Sequence, residues 1–286
     1  MPHCPLCGST SLRSSTIKKD TFLLYGCDIC GLSFIDPLPS DDVLTSFYTE
    51  YLKEKGYKYL NDQLRKFKVA TLWQKRLGLL KKHSELLEKK RILEVGSGTG
   101  EWLETLEKNK IYDFVGLEIA SDEFLFLQRQ YQDKILKITF LDDSLKKKFD
   151  VICLWDVLEH FNNLEDSFVK MLDLLNKDGL IIFSTVNTDS FSFFIKKSKW
   201  RYFIPPEHIF YFNKKSIDFI AKKFRFEVVY YGTQPQLQAF LLSSGVGKPR
   251  AININIYKVK VFLENFFSLL FPRRGEIMTV VLRKLF

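Results

Sequence analysis

The chain has 286 residues, room for one large domain or a medium domain with a small appendage, and a formal net charge of +9 that suits an anionic partner. Its 27 phenylalanines are costly to leave in water, so they predict aromatic-rich layers or an apolar substrate surface. The lysines alternate with glutamate or fill loops, as in "LKKHSELLEKKR", which reads as a solvated face and argues against a concentrated nucleic-acid grip.

The N-terminus opens with "CPLCG" and follows with "CDICG", placing Cys4, Cys7, Cys27 and Cys30 in two tight turns that each end in glycine. No apolar run is long enough to span a bilayer and no signal-peptide core is present, so the expected compartment is cytoplasmic, where five cysteines do not imply disulfides. One such pair could be a redox couple; two with matching glycines predict a structural zinc ribbon over residues 1–35, with four thiolates closing the metal to substrate. Cys153 falls in the apolar run "FDVICLW" and is expected in the core.

A proline-rich joint, "FIDPLPSDD", leads into residues 36–90. Helical apolar spacing there predicts a connector that partly covers a cofactor. At residue 91 the pattern changes to strand, glycine-rich turn and amphipathic helix in "RILEVGSGTGEWLETLEK". Gly96, Gly98 and Gly100 let the backbone approach a ligand, and Glu94 precedes them. The next strand, "YDFVGLEIA", ends at Glu118, where a carboxylate can take both ribose hydroxyls. A third, "KILKITFLDD", ends in Asp142 and Asp143, and a fourth, "FDVICLWDVLEH", in Trp155 and Asp156. Acidic and aromatic strand tips at one sheet edge describe a nucleoside pocket. A pyrophosphate would be repelled by Glu94, whereas a sulfonium with an ammonium group would be welcomed. The residues therefore favour S-adenosylmethionine over a nicotinamide dinucleotide.

With "LLNKDGLIIFSTVN" and "EHIFYFNKKSIDFIAKKFRFEVV", these motifs resemble class I S-adenosylmethionine-dependent methyltransferases over about residues 90 to 231. The order of zinc ribbon, core and Glu-His motif is similar to bacterial methyltransferases of sugar and cell-envelope glycan pathways. The resemblance implies a Rossmann-like α/β sheet of seven strands over residues 91–286, with 232–276 inserted before the last strand, "IMTVVLRK". It implies that Gly96, Ser97, Gly98 and Gly100 line the methionine and ribose end, with Glu94 near the sulfonium. Glu118 would hold the ribose, Asp142 or Asp143 would reach the adenine, and Trp155 and Asp156 would form the floor.

Methyl transfer to an alcohol needs alignment and a base for the departing proton. Of the four histidines, His3 and His83 read as surface residues. His160 ends "DVLEH" and shares a face with Asp156 and Glu159 if that run is helical. Ubiquinone-type O-methyltransferases have a similar run that can bind a divalent metal; a structural hydrogen bond is the simpler role. His208, in "FIPPEHIFYF", is the expected base and Glu207 its orienting partner, on the wall of an acceptor pocket. The expected acceptor is a hydroxyl, or less often a carbon, of a small or lipid-linked sugar or glycan intermediate. RNA gripped by the ribbon and a quinone-type small molecule are the alternatives. The apolar, arginine-ended stretch "VKVFLENFFSLLFPRR" suggests contact with the inner membrane face, a dimer contact or a cover for the sheet; oligomeric state is not legible.

Overall fold

The computed structural model describes residues 2–40, 43, 44, 47, 63–234, 271 and 273–285. The early part of the connector and most of the 232–276 insertion lie outside the described residues. The ribbon contributes β1 (Leu12–Lys19), β2 (Phe22–Cys27) and β3 (Ser33–Asp36). A long helix α1 (Gln63–His83) then precedes β4 (Ile92–Val95), whose four residues are all buried. In chain order follow α2 (Glu101–Lys108), β5 (Phe114–Leu117), α3 (Ser121–Tyr131), β6 (Ile135–Leu136) and β7 (Phe149–Trp155). The last part holds α4 (Leu164–Leu174), β8 (Leu175–Val186), α5 (Phe191–Lys196), β9 (Phe210–Tyr211), α6 (Lys214–Lys223), β10 (Phe226–Gln234) and β11 (Ile277–Lys284).

Seven strands form one sheet in the order β10-β11-β8-β7-β4-β5-β6. β4 pairs parallel with both β5 and β7, and β7 parallel with β8, while β11 runs antiparallel to β8 and β10. The continuous apolar runs of β4 and β7 are what a strand covered on both faces requires. Alternation divides the core. Leu93, Ile152, Phe183 and Val280 face one side, with α4, α6 and the ribbon. Ile92, Cys153, Ile182 and Val281 face the other, with α1, α2 and α3. Because the chain leaves β4 towards β5 on one side and β7 on the other, a crevice opens at the carboxyl ends of β4 and β7, where open α/β sheets bind ligands.

Caps fix the helices that frame this edge. The Asn163 side chain accepts from the Asp166 N–H at the start of α4. Asn213 and Ser216 form a capping box at the start of α6.

The ribbon is not a separate bead. β9 joins its sheet, in the order β1-β2-β3-β9, with Ser33 opposite Tyr211 and Phe34 opposite Phe210. The Ile35 N–H donates to the Ile209 carbonyl at 3.1 Å. Two lysines extend the joint: Lys215 Nζ donates to the Asp28 carbonyl and Lys223 Nζ to the Leu6 carbonyl, each at 2.6 Å. The ribbon core therefore merges with that of the sheet, Cys4, Leu6 and Phe34 packing in the same cluster as Phe210, Tyr211 and Ile217.

The expected last pair of strands, "FEVVYY" against "IMTVVLRK", is present as β10 and β11. The expected third strand is much shorter, two residues, because Thr139–Leu145 folds into successive turns.

Candidate active site

Every strand-tip residue named from the sequence except Asp142 and Asp143 lies at the end of a central strand. Gly96 follows β4 with φ of 71°, a left-handed conformation, and a Cβ there would stand 2.7 Å from Val157 Cγ2. This turn therefore needs glycine for both strain and space. Gly98, also left-handed at 52°, has nothing within 4 Å of an added Cβ, leaving an open side beside the backbone. Gly100 caps α2, and its N–H donates to the Ser97 carbonyl at 2.9 Å.

Two carboxylates converge here. Glu118, at the tip of β5, accepts from the Gly98 N–H at 2.6 Å and the Ala120 N–H at 2.8 Å. Burial raises its pKa, and those backbone donors oppose the rise. Glu94 is only 2% exposed, and burial, then the charges of Glu101 and Glu118, push its carboxyl well up. Glu94 Oε2 and Ser97 Oγ are buried and make no hydrogen bond of normal geometry in the protein, although the Ser97 hydroxyl stands near enough to Glu94 to pull its pKa down. Orphaned buried polar atoms at a glycine turn point to a ligand that completes them. An acceptor, a hydroxyl, a free backbone flank and a carboxylate at the next strand tip together fit S-adenosylmethionine.

Trp155, at the end of β7, packs edge-on against Trp102 with ring centroids 5.2 Å apart and against Trp73 of α1 at 5.7 Å. Arg76, one turn further along α1, completes this wall, a contribution the sequence reading missed. Its guanidinium lies 4.5 Å from the Trp73 ring and 4.4 Å from the Trp155 ring, and the residue is only 4% exposed. Arg76 Nη2 donates to Ser184 Oγ at 2.8 Å and meets Asp156 Oδ2 at 3.3 Å; Ser184 Oγ donates in turn to Asp156 Oδ1 at 2.8 Å. A lysine-rich amphipathic helix disguises such an arginine, since its charge reads as solvated. Asp142 and Asp143 lie in a turn beyond the shortened β6. Asp142 Oδ1 accepts from the Ser144 N–H at 2.8 Å and its hydroxyl at 2.6 Å, and those bonds lower its pKa.

The second half of the site lies past β7. Glu159 is 1% exposed and accepts from the Thr185 hydroxyl at 2.8 Å; burial and Asp156 push its carboxyl up to about 8. His160 Nδ1 meets the Glu207 carbonyl at 2.7 Å, and the Ile209 N–H donates to the Glu159 carbonyl at 2.8 Å. The "EH" segment is thus stitched to the end of β7 on one flank and to the ribbon on the other. His208 is 6% exposed, and its ring stands edge-on to His160 with centroids 4.8 Å apart. Burial, then His160, holds the His208 pKa well below the usual histidine range. Its Nδ1 has no hydrogen-bond partner.

Glu207, expected to orient His208, engages His160 through its main-chain carbonyl. One expectation changes at this point. His208 is enclosed between Tyr202 and Tyr211, with ring centroids at 6.3 and 6.2 Å, where an open pocket wall was expected. β9 draws this segment under the ribbon. Glu159, His160 and His208 bring one ligand atom each within 4.8 Å of one another. Asp156, grouped with them by sequence spacing, is tied to Arg76 and Ser184.

At the far end of the ribbon, the Cys4, Cys7, Cys27 and Cys30 sulfur atoms lie within 4.8 Å of one another. Cys4 to Cys30 and Cys7 to Cys27 are each 3.5 Å apart. A tetrahedron with zinc–sulfur bonds of about 2.3 Å has edges of about 3.8 Å, so the four thiols fit that ion.

Residues 72–231 match the family model described as a methyltransferase domain. Over 109 residues the chain is 29% identical to the ubiquinone biosynthesis O-methyltransferase of Glaesserella parasuis, spanning 34% of this chain and 46% of that protein. Among solved structures it is similar to an S-adenosylmethionine-dependent methyltransferase from Archaeoglobus fulgidus: TM-score 0.52, 19% identity, 83% of this chain and 99% of that one. A second, from Thermotoga maritima, gives a TM-score of 0.52 at 18% identity over 84% of this chain and 98% of that one. At these identities the structural likeness shows a shared fold.

Proposed function

The chain belongs to the methyltransferase-domain family, and on that premise we propose that it methylates a hydroxyl, or less often a carbon, of a sugar or glycan intermediate. S-adenosylmethionine, when bound, supplies an electrophilic methyl group on a sulfonium. The glycine turn and Glu118 would hold its ribose end, Glu94 and Arg76 its charged amino-acid end, and Trp155 the floor. Arg76 suits a carboxylate, and Glu94, whose carboxyl burial pushes up, would give up its proton to face an arriving ammonium. The cysteine cluster would hold a structural zinc.

The observation that carries the reading is His208 Nδ1, a buried nitrogen with no partner on a ring kept neutral by its surroundings. Such a nitrogen can accept the proton an acceptor hydroxyl loses as its oxygen takes the methyl group. Tyr202 and Tyr211 would exclude water from that nitrogen. The glycan class is supported by the succession of ribbon, core and Glu-His motif. A quinone-type phenol is the second reading, favoured by the similarity to the Glaesserella parasuis enzyme.

The test is purified protein with methyl-labelled S-adenosylmethionine and host extract separated into nucleotide sugars, lipid-linked glycans, quinone precursors, RNA and protein. Label in a sugar or glycan fraction is expected. Label confined to quinone precursors selects the second reading, and label confined to RNA or protein overturns both.

A further inference from the structure

We propose that α5 and the turn after it form a docking knuckle for an anionic lipid surface, so that the site works on an acceptor carried by a membrane lipid. The membrane contact stands on its own observations; only its link to the acceptor rests on the glycan reading.

Phe194 and Ile195 are 75% and 74% exposed, the highest values for any large hydrophobic side chain among the described residues. Beside them Phe191 stands edge-on to Phe271, rings 5.2 Å apart and both open to solvent. Lys196, Lys197 and Lys199 follow immediately, and Arg273 and Arg274 flank the same apolar group, all exposed. The Arg274 guanidinium lies 5.7 Å from the Phe191 ring. These five cations outnumber the two carboxylates nearby. Glu276 is buried and paired with Arg201, and Asp189 accepts from the Lys214 N–H.

Apolar tips surrounded by cations match a lipid interface twice over, the rings entering the acyl boundary and the lysines meeting anionic headgroups. The tips stand on a fixed base. Phe193 packs on Trp200 with ring centroids 5.0 Å apart, and Trp200 Nε1 donates to the buried Glu276 at 3.0 Å. That base continues to the candidate base itself, from Trp200 to Tyr202 at 5.3 Å and from Tyr202 to His208 at 6.3 Å. The surface that would touch lipid and the wall that would touch acceptor are therefore one segment, residues 191–208. No helix among the described residues is long and apolar enough to cross a membrane, so this contact is peripheral.

The full chain is sedimented with vesicles of phosphatidylcholine alone and of phosphatidylcholine mixed with phosphatidylglycerol. Capture by the mixed vesicles is expected, weakening as salt rises. F194S/I195S and K196E/K197E/K199E are each expected to lower the partition coefficient by about tenfold or more, with S-adenosylmethionine affinity unchanged as the check on folding. Failure of the unaltered chain to bind mixed vesicles overturns the proposal. So does capture that F194S/I195S leaves intact, which would move the contact elsewhere. Self-association lost in F194S/I195S without lipid binding would assign the knuckle to a second copy and also overturn it. Methyl label confined to soluble fractions, with vesicle capture retained and sensitive to both variants, supports the knuckle and removes the lipid-carried acceptor.

Discussion

His160 Nδ1 lies 2.7 Å from the Glu207 carbonyl oxygen, which can only accept, so the proton sits on that nitrogen. The bond joins the turn after β7 to the segment carrying His208 and gives the two adjacent histidines different tasks. His160 staples two parts of the chain together, while His208 keeps a nitrogen free.

Replacing His208 with Ala is expected to slow methyl transfer by about 100-fold, the usual scale for a lost general base. Affinity for S-adenosylmethionine should change by less than about twofold, since the ring contacts of His208 are with His160, Tyr202 and Tyr211. Single-turnover rates and calorimetric titration separate the two. Unchanged turnover would remove His208 from the chemistry.

The same histidine shapes the acid side of stability. Its folded pKa is depressed, chiefly by burial, so below about 6.5 the unfolded chain binds more protons than the folded one. Its contribution is fully present above that pH and is lost as pH falls through the folded value. Thermal unfolding between pH 5 and 7 should show a slope that H208A flattens; an unchanged slope would mean other groups set it.

Glu159 has the opposite sign. Burial lifts its carboxyl to about 8, so its contribution is present below the unfolded carboxylate range and fades as pH rises through that value. Glu159→Gln should therefore be tolerated near neutrality and should outlast the unaltered chain in alkali. Glu159→Ala leaves the Thr185 hydroxyl unmatched beside a cavity and should cost about 2–4 kcal/mol in denaturant unfolding. Equal losses from the two variants would contradict a protonated Glu159.

Arg76→Ala is expected to weaken S-adenosylmethionine binding by about tenfold or more, the scale of losing a charge-assisted hydrogen bond of about 1.5–3 kcal/mol to the carboxylate proposed above. Arg76→Lys should not restore it, since an ammonium lacks the flat face that lies against the Trp73 and Trp155 rings. Titration of both variants checks this, and full recovery in the lysine form would assign Arg76 a role of charge alone.

One zinc per chain is expected by elemental analysis, lost in Cys30→Ser. Hydrogen exchange should then quicken at Ile35, whose N–H bonds to Ile209, while amides of β4 stay protected. Retained zinc in Cys30→Ser would exclude the four-thiolate site.

Much of this architecture was legible because its signals are local. The glycine turn, Glu118 at a strand tip and the paired cysteine knuckles each declare themselves within a few residues. β10 and β11 were legible as alternating runs although the insertion divides them. What was not legible depends on distant partners. Arg76 looks solvated until Trp155 and Asp156 arrive beneath it. Asp142 looked like a strand tip, but Ser144 closes a turn on its carboxylate. β9 is two residues long, too short for any periodicity, and only the free edge of β3 makes it a strand.

That pairing has a consequence for how the chain is made. Ser33 and Phe34 leave the ribosome early, whereas Phe210 and Tyr211 follow only after β8 has been synthesised. Until then β3 is an open edge, able to template the wrong strand, on a unit that the cysteines alone would hold shut. The last ribbon bond closes only when the Glu-His segment arrives, so completion of the N-terminal sheet and placement of the two histidines are one event in the life of the nascent chain.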